Sequence, residues 1–211
     1  MLAAIVCEGP TDFIVLRELL YRLCPQIEDV IALQPEGDET SFDAGGWHLV
    51  QKWCQDNGPK LSSFLGHRYG NPIDILLIQV DGDIAPSLGV PVQQRAAADI
   101  AREVCDQVKS WLGHPPRALP PQVIITIPME ATESWLIAGL EDGSILNLER
   151  LAHPAGRLVS KGKLIADSNG RPVKDLSRYR EMARDLAKST TRLFVRAPEA
   201  DRLRSKIAAK C

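Results

Sequence analysis

DILLIQVDGD, residues 74–83, decides the fold. Ile75, Leu76, Leu77, Ile78 and Val80 leave almost no polar position, so the segment has no solvent face. A strand with that pattern belongs in the middle of a parallel sheet, where helices cover both sides. It runs directly into Asp81-Gly82-Asp83, an acidic turn at its carboxyl end.

Working outward, residues 2–7 form a second short apolar run that suits a buried strand. It ends in Glu8-Gly9-Pro10-Thr11-Asp12, where Gly9 permits an unusual turn and Pro10 suits the first position of a helix. Phe13, Leu16, Leu20 and Leu23 then recur at helical spacing. Residues 30–33 are a candidate strand, Gly45-Gly46 breaks the chain, and residues 47–53 read as helix. A helix is expected over residues 92–112, with Ala97, Ile100, Val104, Val108 and Trp111 on one stripe. A Pro-rich connector at residues 114–121 leads to a buried strand at 123–127 and a helical stretch through Glu130, Glu133 and Leu140. Residues 176–186 and 200–207 read as basic helices. Strands alternating with helices predict an α/β fold with a mostly parallel sheet, Rossmann-like in class. The expected organisation is a core over residues 1–140 and a basic, mainly helical extension over 141–211 packed on it.

The 211 residues carry a net charge of −2, which hides an asymmetry. Residues 1–149 hold 9 Lys and Arg against 21 Asp and Glu, a net of −12, and residues 150–211 hold 16 against 6, a net of +10. The two halves can attract each other, or the tail can meet a polyanion while the front holds cations. Five cysteines, at positions 7, 24, 54, 105 and 211, form no CxxC pair, and Cys7 and Cys105 fall in apolar patterns. A disulfide framework is therefore not expected, and a reducing, cytoplasmic setting is. No basic leader pattern precedes the first strand, and no apolar run is long enough to span a bilayer.

In open parallel sheets, active sites gather beyond the carboxyl ends of the strands. Glu8, Asp81, Asp83 and Glu130 all follow predicted strands. Carboxylates brought together repel one another, and a hard divalent cation, Mg²⁺ or Mn²⁺, relieves that repulsion through oxygen ligands. His48, His67, His114 and His153 make no zinc spacing with the cysteines. His67 lies in a loop, Gly66-His67-Arg68-Tyr69-Gly70, that approaches the site or is simply polar surface. Trp47, Trp53, Trp111 and Trp135 read as core. Ser62-Ser63 lacks a neighbouring His/Asp pattern for acyl transfer, and without a GxxxxGK[ST] loop the chain is not expected to be an ATPase by itself.

IVCEGPTDFIVLRELL (5–20) and DILLIQVDGD resemble the two motifs of the TOPRIM domain, found in topoisomerases, bacterial primases and OLD-type nucleases. The resemblance covers roughly residues 1–140. IPMEATESWLIAGL (127–140) and the basic tail are similar to small TOPRIM-like bacterial proteins encoded beside ATPases implicated in phage defence. The resemblance implies Glu8 as general acid or base, Asp81 and Asp83 as Mg²⁺ ligands, and Glu130 as part of a second metal site. Neither a tyrosine-nucleophile domain nor a primase zinc motif is recognisable, so the implied activity is metal-dependent cleavage of DNA or RNA, with an ATPase as possible partner. Lys161, Lys163, Arg178 and Arg184, together with Arg180 and Arg192, are candidate phosphate contacts. Two alternatives stay open: a non-catalytic module docking to an ATPase or nucleic acid, and a D-x-D nucleotide-sugar transferase.

Overall fold

The computed structural model describes residues 1–36, 45–67, 72–113, 119–143 and 148–211. Four strands, β1 (Leu2–Val6), β2 (Asp29–Gln34), β3 (Ile75–Gln79) and β4 (Val123–Thr126), form an all-parallel sheet in the order β2-β1-β3-β4. The protein is thus α/β, with helices on both faces. Every residue of β3 is buried, as its unbroken hydrophobicity requires.

Alternation along the strands divides the core in two. Ala3, Ile5, Cys7, Ile75, Leu77 and Ile124 face α1 (Pro10–Leu23) and α5 (Thr132–Leu140). Ala4, Val6, Leu76, Ile78 and Ile125 face α2 (Trp47–Asn57), α3 (Leu61–His67) and α4 (Ala97–Trp111). The C-terminal helices α6 (Pro154–Ser160), α7 (Leu176–Lys188), α8 (Thr191–Arg196) and α9 (Pro198–Ala208) join the first of these cores through Leu158, Tyr179, Met182, Leu186, Leu193, Leu203 and Ile207. Trp135 and Trp111 are buried, and Trp47 and Trp53 pack against the second core.

Part of the tail's positive charge is engaged within the chain. Arg196, 5% exposed, donates to the carbonyls of Ala138 and Glu141 and so satisfies the end of α5. Arg157 pairs with Glu141, and Arg192 with Asp142. Buried Glu149 takes the Trp135 indole N–H and the backbone amides of Glu199 and Ala200, capping α9 from outside that helix.

Four expectations need correction. The helix expected from residue 92 starts at Ala97, because Gln94 has φ 56° and Ala96 is extended, and neither fits an α-helical turn. Gly9 is likewise extended at φ −157°, so no glycine-only conformation is needed there. Cys24, just past α1, and Cys211 are joined by a disulfide with Cα atoms 5.8 Å apart. The 187 residues between them give no local signal, and the bond removes the ground for expecting a reducing compartment. No helix among the described residues is long and apolar enough to cross a membrane. Gly66 and His67 close α3 instead of lying in a loop, while residues 68–70 and the first part of the Pro-rich connector lie outside the described residues.

Cys7, Cys54 and Cys105 are the free thiols. Thiol titration of the denatured, unreduced protein should therefore count Cys7, Cys54 and Cys105 and leave Cys24 and Cys211 unreactive. Cys24→Ser should lower unfolding stability by about 2–5 kcal/mol in urea melts without reductant. Titration of all five thiols would show the bond absent.

Candidate active site

The strand order fixes where a site can form. From β1 the chain crosses through α1 to β2, whereas from β3 it crosses through α4 to β4 on the opposite side. The connections leave β1 and β3 in opposite directions, which opens a crevice at their carboxyl ends. Val6 pairs with Ile78, so Glu8 and Asp81 emerge nearly level on either side of it. The Asp81 amide donates to the Glu8 carboxylate at 2.7 Å. Gln79, fully buried, ties the two together through its side chain: Oε1 accepts the Glu8 backbone N–H at 3.3 Å, and Nε2 donates to Asp81 Oδ1 at 2.7 Å.

Two glycines let the surrounding loops close on this bracket. A Cβ on Gly82 would lie 2.6 Å from the Met129 carbonyl oxygen, and the Gly82 amide donates to the Pro128 carbonyl. Gly82 thus lets the loop after β3 press on the loop after β4. A Cβ on Gly45 would lie 2.0 Å from the Glu8 carbonyl oxygen, which accepts the Gly46 amide. The chain break read from Gly45-Gly46 is a close approach to the Glu8 backbone.

Asp12 and Glu133 lie behind Glu8 and Asp81, in the first turns of α1 and α5 and almost wholly buried. Helix N-termini favour negative charge, and each carboxylate also receives a hydroxyl. Thr132 donates to Asp12 and Tyr179 of α7 donates to Glu133, both at 2.5 Å. Asp83 is exposed at the start of the turn Gly82–Leu88. Glu130 is half-buried on the rim, and Lys174 is reached by solvent from the cleft.

Burial lifts the Glu8 carboxyl to about 7, with Asp12 and Asp83 adding to the rise against the Asp81 amide and Lys174. Burial and Glu133 lift Asp12 to about 6, against Lys174 and Thr132. Asp81 is raised by burial, then by Asp12, Glu8, Glu133 and Asp83. Asp83 is raised by burial and Glu133, and Glu130 by burial and Asp83. Burial pulls Lys174 down, but Asp12, Glu133, Asp81 and Glu8 outweigh it and the ammonium ends above the ordinary lysine value.

A cleft of about 650 Å³ opens onto this cluster. Asp81, Asp83, Glu130 and Glu133 form one side, and His153, Arg171 and Lys174 line it from the C-terminal segment. His153 holds φ 54°, a left-handed conformation that costs a non-glycine residue roughly 1–2 kcal/mol.

The expected residues Glu8, Asp81, Asp83 and Glu130 are therefore brought to one place. Lys161 and Lys163 are exposed at the end of α6 and beyond it, and Arg184 is exposed on α7. None of the three lines the cleft. Arg178 donates to the carbonyls of Gly162 and Lys163 and so holds that turn. Asp12, Gln79, Thr132, Lys174 and Tyr179 were not anticipated. Asp12 alone carried a signal, as an acid in the turn that follows the Glu8 strand.

The donor set is all carboxylate oxygen, which suits a hard divalent cation. Among the described residues no group of three or more His, Cys, Asp or Glu side chains is arranged to hold a metal ion. Glu8 and Asp81 each direct one oxygen at a protein donor instead, so an ion would take their remaining oxygens or displace those donors. Comparison with known protein families, with curated proteins and with solved structures returned no match.

Raised carboxyl values mean that the folded protein binds more protons than the unfolded chain between pH 4.5 and 7, so stability falls as pH rises through that window. Buried Glu149, lifted by its own burial to about 7, adds to the same slope. Metal-free protein should be more stable at pH 5.5 than at pH 8 by on the order of a few kcal/mol in urea melts. Glu8→Gln should flatten the dependence. An increase in stability toward alkaline pH would show that the cluster is not desolvated.

Proposed function

We propose that the protein is a Mg²⁺-dependent phosphodiesterase acting on DNA or RNA, a nuclease of TOPRIM-like architecture. One observation carries the reading: Glu8, Asp12, Asp81, Asp83 and Glu133 converge at the switch point of a parallel sheet, and Lys174 is the cation that acts on them together. The order strand-Glu-Gly, helix, strand-Asp-Gly-Asp supports it.

Asp81 and Asp83, with Glu8 and Glu130, are the residues that would hold the ion. A divalent ion, when bound, supplies Lewis-acid polarisation of a phosphoryl oxygen and lowers the pKa of water. Glu8, with a carboxyl near 7, suits proton transfer near neutral pH. Lys174 is placed to offset charge that develops on the phosphate oxygens. Asp12 and Glu133 hold Lys174 by charge, while Thr132 and Tyr179 fix those two carboxylates.

A second reading is a non-catalytic module for nucleic acid or a partner ATPase. It is favoured by Lys174 already lying among the acids and by the absence of a ready three-residue ion cage among the described residues.

Calorimetry with Mn²⁺ separates the two. Wild type should bind saturably, Asp81→Asn/Asp83→Asn should lose binding, and Lys174→Met should bind at least as well because a competing cation is gone. A folded wild-type protein that gives no heat at millimolar metal would leave the binding module as the function.

A further inference from the structure

Residues 165–173 form a hairpin that buries nothing yet is fully braced. Its root is Leu164, 3% exposed, and every residue from Ile165 to Pro172 is exposed. Val173 donates to the Ile165 carbonyl at 2.9 Å, Ala166 bridges to Pro172, and Asp167 donates to the Arg171 carbonyl at 2.8 Å. The Asp167 carboxylate also accepts the amides of Asn169 and Arg171, each at 2.8 Å. Gly170, at φ 75°, makes the turn that a side chain would strain. Pro172 restricts the backbone after Arg171. Asp175 caps α7 through the amides of Ser177 and Arg178, which fixes the hairpin's far end.

An exposed hairpin has no packing reason to be this rigid. It places Gly170, Arg171, Pro172 and, at its end, Lys174 along the cleft that holds Asp81, Asp83 and Glu130. Arg171 is exposed there and forms no ion pair among the described residues, although acids line the same cleft. A guanidinium held on a rigid arm is pre-organised to grip a phosphate with two parallel hydrogen bonds. The cleft volume, about 650 Å³, lies in the range of sites that enclose one small molecule. The α6 start at His153 and Pro154 walls it as well. A space of that size would admit a strand one nucleotide at a time and is too small to take a duplex.

We infer that the 165–173 hairpin is a phosphate-binding arm, on which Arg171 grips the backbone of a single-stranded nucleic acid threaded into the cleft. The inference deepens the phosphodiesterase reading and rests on it for the chemistry, but the grip is a property of the arm itself. Arg171 is a substrate-binding residue in this scheme, and Lys174 faces the neighbouring phosphate from the arm's base.

The test is fluorescence anisotropy of the full chain, with Ca²⁺ in place of Mg²⁺, against labelled single-stranded DNA, single-stranded RNA and the matching duplex. Unlabelled mononucleotide and inorganic phosphate serve as competitors. A single strand should bind more tightly than duplex and resist both competitors. Arg171→Ala should weaken it about ten-fold, with unchanged melting temperature and a shallower salt dependence. Arg171→Lys should recover part of the loss, since charge returns without the fork. Equal binding of duplex, displacement by mononucleotide as effective as by oligonucleotide, an Arg171→Ala protein that binds like wild type, or no binding at low salt would each overturn the arm. Arg171-dependent binding in a protein that takes up no Mn²⁺ would keep the arm and refute the metal-dependent reaction.

Discussion

Five carboxylates, Glu8, Asp12, Asp81, Asp83 and Glu133, share the carboxyl ends of the strands with the ammonium of Lys174. Like charges at such a position cost free energy unless something holds them, and the fold supplies several restraints. Gln79 brackets Glu8 and Asp81 from below. Two helix N-termini receive Asp12 and Glu133, and two hydroxyls complete them. The carboxyls of Glu8 and Asp12 are nonetheless raised, first by burial and then by the neighbouring acids, so these restraints do not cancel desolvation and repulsion together. Structural ion-pair networks also perturb carboxylates, but they do so with matched charge. Here the negative groups are in excess at a topological switch point, which is what supports the proposed cation site.

The C-terminal region is part of that site. A boundary at residue 140 leaves Glu8, Asp12, Asp81, Asp83 and Glu133 in the first part, and it puts Lys174, Tyr179, His153 and Arg171 in the second. The basic tail therefore has three separate uses. Arg196 and Arg157 satisfy or pair groups at the end of α5. On α7 and α9, Lys188, Arg202 and Arg204 pair within their own helices. Lys174 and Arg171 remain at the cleft, so the charge asymmetry of the sequence is in part the acidic front and basic tail meeting across one site.

The sequence was most legible where one physical pattern dominates. Unbroken hydrophobicity identified β3, and the Gly9-Pro10 junction located the start of α1. The first-row acids Glu8 and Asp81 followed from their place after strands. Asp12 and Glu133 needed the helix packing that brings α1 and α5 together. Lys174 and Tyr179 needed the return of α7 onto α1, a contact between segments more than 150 residues apart that leaves no periodic trace. Gly45 and Gly82 read as breaks or open space, because a close backbone approach is invisible until the second loop is placed. The Cys24–Cys211 bond was hidden for the same reason.

The raised carboxyls also set the terms on which any cation can bind. A carboxylate must be deprotonated to be a ligand, so a metal entering this cluster competes with protons and releases them. Glu8 near 7 is partly protonated at neutral pH, which makes affinity steeply dependent on pH in the physiological range. Lys174 adds a second competitor, since its ammonium gains from the same acids that would hold an ion. Displacing it toward the cleft would bring a positive charge closer to Arg171 and to whatever anion lies between them. On the proposed reading, ion entry and phosphate binding would favour each other: the ion would free a cation for the substrate, and the substrate's negative charge would stabilise the freed cation. By linkage, each ligand raises the affinity of the other by the same factor.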